Sequence, residues 1–103
     1  MKPPDERTIS LHLASLFREV GLDSSSQGQP AAALDMLREA VRLNPDDMQA
    51  WFSLGFVCSK QDKKADAVAA YREAVRVAPE CVAAWVNLGV AYHALDEFAL
   101  AIE

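Results

Sequence analysis

One pattern recurs every 34 residues along this chain, and that period restricts the possible folds more than any other feature of the sequence. Three residues of one unit reappear 34 places later in the next, namely Trp51 as Trp85, Leu54 as Leu88 and Gly55 as Gly89. A fixed period of this length is typical of a stacked helical array, in which each unit buries its apolar face against its neighbour. The sequence therefore predicts an all-α solenoid of antiparallel helix pairs, with no β-strand.

The boundaries of the units follow from the same register. Residues 14–47 form the first unit, residues 48–81 the second, and residues 82–103 a truncated third. Residues 1–13 precede the first unit and are predicted to extend its first helix. Because the third unit stops early, we expect a single domain over residues 1–103 that was cut from a longer array.

Each complete unit is predicted to form two helices joined by a short turn. In the second unit, the first helix runs from about Asp47 to Lys60, and Asp46 is its predicted N-cap. Asp62 is the predicted cap of the second helix, which covers residues 65–77. Apolar residues at i, i+3, i+4 and i+7 place one face of the first helix in the core. Pro79 ends the second helix, because proline breaks the hydrogen-bond ladder.

The two outer units depart from this arrangement. The first helix of the first unit is predicted to begin near Glu6, capped by Asp5, and its extra turns are expected to cover the open end of the stack. Its second helix is predicted over residues 31–43. The third unit is predicted to contain one helix over residues 82–95 and the start of another over residues 98–103.

A glycine lies inside the first helix of every unit, although glycine there costs about 1 kcal/mol relative to alanine. This cost indicates a close approach between two helix backbones. The predicted partner is the alanine twelve residues later, which pairs Gly21 with Ala33, Gly55 with Ala67 and Gly89 with Ala101.

Taken together, these residues resemble the signature of the tetratricopeptide repeat family. Residues 48–81 match all eight signature positions, with Cys58 where tyrosine is usual, and residues 82–101 match the first five. The first unit matches with four replacements, Phe17, Val20, Ser24 and Leu37. The resemblance implies a right-handed superhelix, in which the first helices of the units line a concave groove that holds peptides.

The charge balance and the cysteines restrict the possible partners and compartment. Ten basic and fifteen acidic residues give a net charge of −5. Nucleic acids and anionic membranes favour a basic surface, so neither is expected as a partner. Cys58 and Cys81 form no CxxC motif, which suits the reduced thiols of a cytoplasmic protein.

No pattern in the sequence indicates catalysis, or the binding of a cofactor or a metal. His12 and His93 lie in separate units without further ligands at metal-binding spacing, and Ser24–Ser26 lack a GxSxG context and a nearby histidine. The protein is therefore predicted not to be an enzyme and to bind no cofactor or metal. The repeat register favours Trp51 and Trp85 as core residues over ligand-stacking residues.

The resemblance implies which side chains of the first helices face the groove. The candidate partner-binding residues are Arg18, Leu22, Gln49, Phe52, Ser53, Phe56, Val86, Asn87, Val90 and His93. They include neither the lysine and asparagine clamp for a C-terminal carboxylate nor the asparagine ladder for an extended peptide. The apolar members favour an amphipathic helix or an apolar peptide segment as the partner. The alternative is that they pack against adjoining helices and have no partner.

The leading functional hypothesis is a non-catalytic protein–protein interaction scaffold that presents this groove. One alternative is that the array is the targeting arm of a larger enzyme, such as a glycosyltransferase. Another is self-association through an open C-terminal face, since the short third unit covers Trp85, Leu88 and Tyr92 only in part. An isologous homodimer is the commonest arrangement of that kind.

Overall fold

Five helices account for most of the structure, a computed structural model that describes residues 2–102 and the side chains of residues 2–96. They are α1 (Glu6–Ser26), α2 (Pro30–Leu43), α3 (Met48–Lys60), α4 (Lys64–Val77) and α5 (Val82–Ile102). No strand occurs within residues 2–102. The predicted all-α fold is confirmed.

The helices stack in chain order. α1 packs on α2 and α3 packs on α4, while contacts of α2 with α3 and of α4 with α5 join the successive units. One apolar core runs through these contact faces, and its members include Leu37, Leu54, Tyr71, Ala74 and Leu88. The stack is elongated, with principal extents of 62 × 30 × 19 Å. α1 and α5 therefore form its two ends.

Aspartate side chains cap two of the helices. The Asp5 carboxylate accepts a hydrogen bond of 2.7 Å from the backbone N–H of Thr8, as predicted. This bond lowers the pKa of the Asp5 carboxyl. At α3 the predicted cap was wrong by one residue, because Asp47 rather than Asp46 accepts from the Ala50 N–H, at 3.3 Å.

The turns inside the first two units share a left-handed residue at equivalent positions. Gly28 has a φ of 73°, and Asp62, 34 residues later, has a φ of 60°. Asp62 was predicted to cap α4, but Lys63 occupies the N-cap position and makes no side-chain capping bond. The Asp62 carboxylate instead pairs with the Lys64 ammonium group. The left-handed conformation thus serves to turn the chain, which glycine does without strain and aspartate tolerates.

The third unit contains one long helix. The predicted turn falls at Asp96, the position equivalent to Gly28 and Asp62, but α5 continues through it to its end at Ile102. Residues 94–102 include no glycine or proline and consist largely of good helix formers. The sequence contains no local signal that ends α5 near residue 95, and the prediction of a separate helix from Phe98 was wrong.

The glycines of α1 and α3 do mark close contacts. The predicted backbone approach is present in the first unit, where the Ala33 carbonyl oxygen would lie 3.4 Å from a Cβ atom on Gly21. A Cβ atom on Gly55 would lie 2.8 Å from the Tyr71 ring, and one on Gly21 would lie 2.8 Å from Leu37 Cγ. The nearest neighbour is thus the side chain sixteen residues later, one helical turn beyond the predicted alanine. A Cβ on Gly89 would meet no described atom within 4 Å. Its predicted partner, Ala101, lies outside the described side chains.

The N-terminal extension does not cover the end of the stack as predicted. It lengthens α1 by two turns, but Ile9 remains 52% exposed and Leu13 remains 42% exposed. No helix precedes α1 in the described chain, so about half of each of these side chains is left uncovered. The extension therefore adds apolar surface to this end.

Candidate partner-binding groove

A depression of about 350 Å³ lies between α1 and α3 and brings together several of the predicted groove residues. We call it the apolar groove, and its lining consists of Leu22, Ser25, Ser26, Phe52, Ser53, Phe56 and Val57. The two helices meet here because α2 packs against both of them. The groove thus has apolar side chains at its centre and serine hydroxyl groups along the α1 side.

Phe56 is the most accessible aromatic residue of the apolar groove. Its side chain is 47% exposed, and Leu22 across the groove is 38% exposed. The Lys60 ammonium nitrogen lies 5.1 Å from the centroid of the Phe56 ring, within the range of a cation–π contact. Lys60 was not among the candidate residues, although its i,i+4 spacing to Phe56 is a signal that the sequence contains.

Phe52 belongs to the groove and to the core at once. Its ring packs edge-on against Tyr71, with 5.8 Å between the ring centroids and an angle of 73° between the planes. Tyr71 is only 3% exposed. Burial raises the pKa of its phenol, and a hydrogen bond with the Ser59 side chain partly opposes the shift. Phe52 therefore has less surface to offer a partner than Phe56.

Three other candidate residues of α1 and α3 have different surroundings. The Arg18 guanidinium lies 2.6 Å from the Asp47 carboxylate, and both side chains are largely buried. Ser53 is buried and forms the floor of the groove. Gln49 is exposed on the first turn of α3. Arg18 is thus engaged by a helix cap rather than directed at a ligand.

The candidate residues of α5 lie apart from the apolar groove. Val86 and Val90 are 57% and 62% exposed, His93 is exposed, and Asn87 is half-buried. Val90 contributes to a second, smaller depression of about 180 Å³, shared with Ser59, Lys64, Ala67, Ala91 and Ala94. The ten predicted residues therefore do not form one continuous surface.

A larger crevice, of about 500 Å³, was not predicted from the sequence. It is lined by Trp51, Ala69, Arg72, Glu73 and Arg76. The Trp51 indole N–H donates to the Pro45 carbonyl at 2.8 Å, and the Arg76 guanidinium donates to the same oxygen at 3.0 Å. Glu73 pairs with Arg76 as well. Trp51 is half-buried and packs on the core. The polar groups that line the crevice thus bond to one another and to the Pro45 carbonyl.

The residues that the structure describes contain neither a cluster of metal ligands nor a membrane-spanning helix. No three histidine, cysteine, aspartate or glutamate side chains lie close enough together to hold a metal ion in that part of the chain. In the same part, no helix combines the length and the apolar character needed to cross a membrane.

Comparison with known families identifies the class of protein. Residues 7–57 match one family model described as tetratricopeptide repeat, and residues 59–103 match a second model with the same description. The chain belongs to the tetratricopeptide repeat family. Repeats of this family generally act as non-catalytic protein-interaction scaffolds, and the chain has the architecture of such a scaffold.

Solved structures of MamA have a similar fold. One has a TM-score of 0.78 and 25% sequence identity, with 86% of this chain and 49% of the MamA chain covered. A second has a TM-score of 0.75 and 25% identity, with 86% and 56% covered. The chain thus spans about half the length of the MamA chains. No curated protein sequence matches it.

Proposed function

We propose that this chain binds an apolar segment of a partner protein in the apolar groove. The observation that carries the proposal is the exposure of Phe56 and Leu22 on opposite walls of one 350 Å³ depression. Apolar side chains that converge in a concavity favour the burial of a ligand side chain more than isolated surface residues do. The proposal makes Phe56 the main contact, with Phe52 in a supporting position.

The lining favours an amphipathic helix as the bound segment. Serine hydroxyl groups and the Lys60 ammonium group surround the apolar centre, so the ligand would need an apolar stripe flanked by polar residues. A carboxylate next to that stripe would be attracted by Lys60. Because the chain has a net charge of −5, a ligand of large negative charge would bind less well.

The experiment is capture from a native lysate with Phe56→Ala beside wild type. We expect Phe56→Ala to lose the captured partner while its thermal unfolding stays close to that of wild type, because nearly half of the side chain is already exposed. Arg72→Ala is the control, since it removes a long exposed side chain outside the groove. A partner that binds all three proteins equally would contradict the proposal.

We also propose that the chain self-associates through the open face of α5. Gly89 has no described atom within 4 Å of a Cβ position, and Trp85 on the same face is 51% exposed. In the second unit the equivalent positions are covered by α4, so the surface is of a kind that the fold normally buries. Sedimentation over a range of concentrations tests this proposal, and a monomer at every concentration would contradict it.

We further place the protein in the cytoplasm, with neither nucleic acid nor membrane among its partners. The net charge of −5 and the two free cysteines support this proposal. Failure to bind anionic vesicles and nucleic acid at low salt is the corresponding test.

A further inference from the structure

α5 exposes a stripe of residues that the preceding unit buries. Trp85, Gly89 and Tyr92 occupy the same register as Trp51, Gly55 and Cys58 of α3. In α3 these three are half-buried or buried, and Cys58 is only 1% exposed; in α5, Trp85 is 51% exposed and Tyr92 42%. Val82, 72% exposed, extends the stripe by one turn. We call Val82, Trp85, Gly89 and Tyr92 the α5 stripe.

α1 exposes a second stripe at the other end of the molecule. Ile9, Leu13, Leu16 and Val20 are 52%, 42%, 56% and 49% exposed, and we call them the α1 stripe. The residues of α3 equivalent to Leu16 and Val20 are Ala50 and Leu54, which are 0% and 7% exposed and belong to the core. The second half of the α1 stripe, Leu16 and Val20, thus corresponds to positions that the next unit buries.

The two stripes match in period and in length. Members of the α1 stripe are four, three and four residues apart, and those of the α5 stripe are three, four and three apart. Both patterns are the alternation of a and d positions through which two helices pack side by side. Each stripe covers about three turns, roughly 16 Å along its helix. Because α1 and α5 form opposite ends of the stack, the stripes of one chain cannot cover each other.

We infer that the α1 stripe of one copy packs along the α5 stripe of a second copy, so that copies assemble head to tail. The inference rests on the proposed self-association through α5 and names the surface that the second copy supplies. Leucine side chains from α1 would fill the space beside Gly89, as Leu37 fills the space beside Gly21 and Tyr71 that beside Gly55. The contact is heterologous, so it adds further copies instead of closing at two.

A second α5 helix would cover the exposed apolar surface less completely than α1 does. The Trp85 indole N–H donates to the Pro79 carbonyl at 2.8 Å, as Trp51 donates to Pro45, so the ring already has its polar partner within its own chain. Pairing α5 with α5 would also leave the α1 stripe exposed in every copy. The head-to-tail contact covers both stripes with one interface.

The experiment uses two blocked variants of the chain. Leu16→Glu places a charge in the α1 stripe, and Gly89→Glu places one in the α5 stripe at a position with open space around it. Each should fold, as circular dichroism will show, because neither site is packed. We expect each variant alone to raise the concentration of half-association by at least about tenfold, since a charge would have to be buried at the contact.

Mixing the two variants distinguishes the head-to-tail contact from its alternatives. Each variant retains one intact stripe, so an equimolar mixture should form a dimer that stops there, whereas wild type continues to grow with concentration. Thr8→Glu on α1 and Ala83→Glu on α5 are the matched controls, because both residues are exposed and lie outside the stripes and the apolar groove. Both should associate like wild type.

Three results would overturn the inference. If Gly89→Glu blocks association and Leu16→Glu does not, two α5 helices pair, and the proposed self-association stands without the head-to-tail contact. If wild type is a monomer at all concentrations, the proposed self-association and the head-to-tail contact are both wrong. If Leu22→Glu, which places a charge in the apolar groove, blocks association, the second copy occupies that groove. We also expect added salt to strengthen association, because it screens the repulsion between copies that each carry a net charge of −5.

Discussion

The guanidinium group of Arg18 lies 2.6 Å from the carboxylate of Asp47, and this contact joins α1 to the N-cap residue of α3. The same carboxylate accepts a hydrogen bond of 3.3 Å from the Ala50 N–H and so caps α3. The side chains are 23% and 12% exposed, which limits competition from water. Arg18 therefore sets the relation between the two helices that form the walls of the apolar groove.

Removing the charge from either partner should destabilise the protein. We expect Arg18→Met to lower the free energy of unfolding by about 1.5–3 kcal/mol, the range for a hydrogen bond to a charged group. Asp47→Asn keeps a good capping residue but loses the charge, so a double-mutant cycle measures the pair itself. The control is Arg42→Met, whose pair with Glu39 is exposed and should be worth less than about 1 kcal/mol. If Arg18→Met and Arg42→Met lower the free energy of unfolding equally, the pair of Arg18 with Asp47 has no special stabilising role.

Two equivalent glycines should respond in opposite ways to the same substitution. Gly55→Ala would place a methyl group 2.8 Å from the Tyr71 ring, which is buried and cannot move aside, so we expect a loss of about 1–3 kcal/mol from overpacking. Gly89→Ala meets open space and should gain up to about 1 kcal/mol from helix propensity. Chemical denaturation of the two variants at a concentration where the chain is monomeric gives the comparison. If Gly89→Ala lowers the free energy of unfolding as much as Gly55→Ala does, the face of α5 around Gly89 must be covered by another part of the protein.

Substitution of the two phenylalanines of the apolar groove should destabilise the protein to different extents. Phe52→Ala removes the edge-on contact with Tyr71, worth about 0.5–1.5 kcal/mol beyond area burial, and leaves a space next to the core. Phe56→Ala removes a side chain that is 47% exposed and should cost clearly less. Thermal unfolding of both variants checks the order. If Phe56→Ala proves the more damaging, Phe56 belongs to the packed core and not to a binding surface.

The sequence was sufficient to predict the fold and the family, because both depend on a register that recurs over the whole chain. Trp51 recurs as Trp85, and Gly55 recurs as Gly21 and Gly89, and such a period admits few architectures. It was not sufficient to identify the contact that each glycine makes. The atoms nearest to Gly55 belong to Tyr71 and those nearest to Gly21 belong to Leu37, because large side chains of antiparallel helices interlock in a way that spacing alone does not specify.

Local sequence signals predicted some helix ends correctly and others wrongly. Asp5 was predicted as a cap from two preceding prolines, whereas adjacent aspartates at 46 and 47 left the cap of α3 ambiguous by one residue. Asp96 stands where Gly28 and Asp62 turn the chain, yet α5 remains helical there. Repeat register predicts a turn at Asp96, and local helix propensity opposes it. The open face of α5 was predicted correctly at Trp85 and Tyr92, but Leu88, predicted to share it, is only 7% exposed. The exposed face of α1 was not foreseen, since exposure depends on which helix lies opposite.

The two cysteines should differ in reactivity, and one of them makes stability depend on alkaline pH. Cys58 is 1% exposed, and burial raises the pKa of its thiol, with the nearby Asp66 carboxylate adding to the shift. Cys81 is only half-buried. At pH 8 a disulfide reagent should therefore modify Cys81 in the folded protein and Cys58 only as the chain unfolds. Equal rates at the two thiols would contradict the buried position of Cys58.

The sign of the pH effect follows from which state holds the proton more tightly. An unfolded cysteine ionises near pH 8.5, whereas folded Cys58 ionises at a higher pH. The contribution of Cys58 is therefore complete below about pH 8.5 and is lost as the pH rises towards the folded pKa. Tyr71, whose pKa is also raised, acts in the same direction from about pH 10 upward. Cys58→Ala retains Tyr71, so a smaller decline of its stability between about pH 8.5 and 10 isolates the thiol, and an unchanged decline would exclude it.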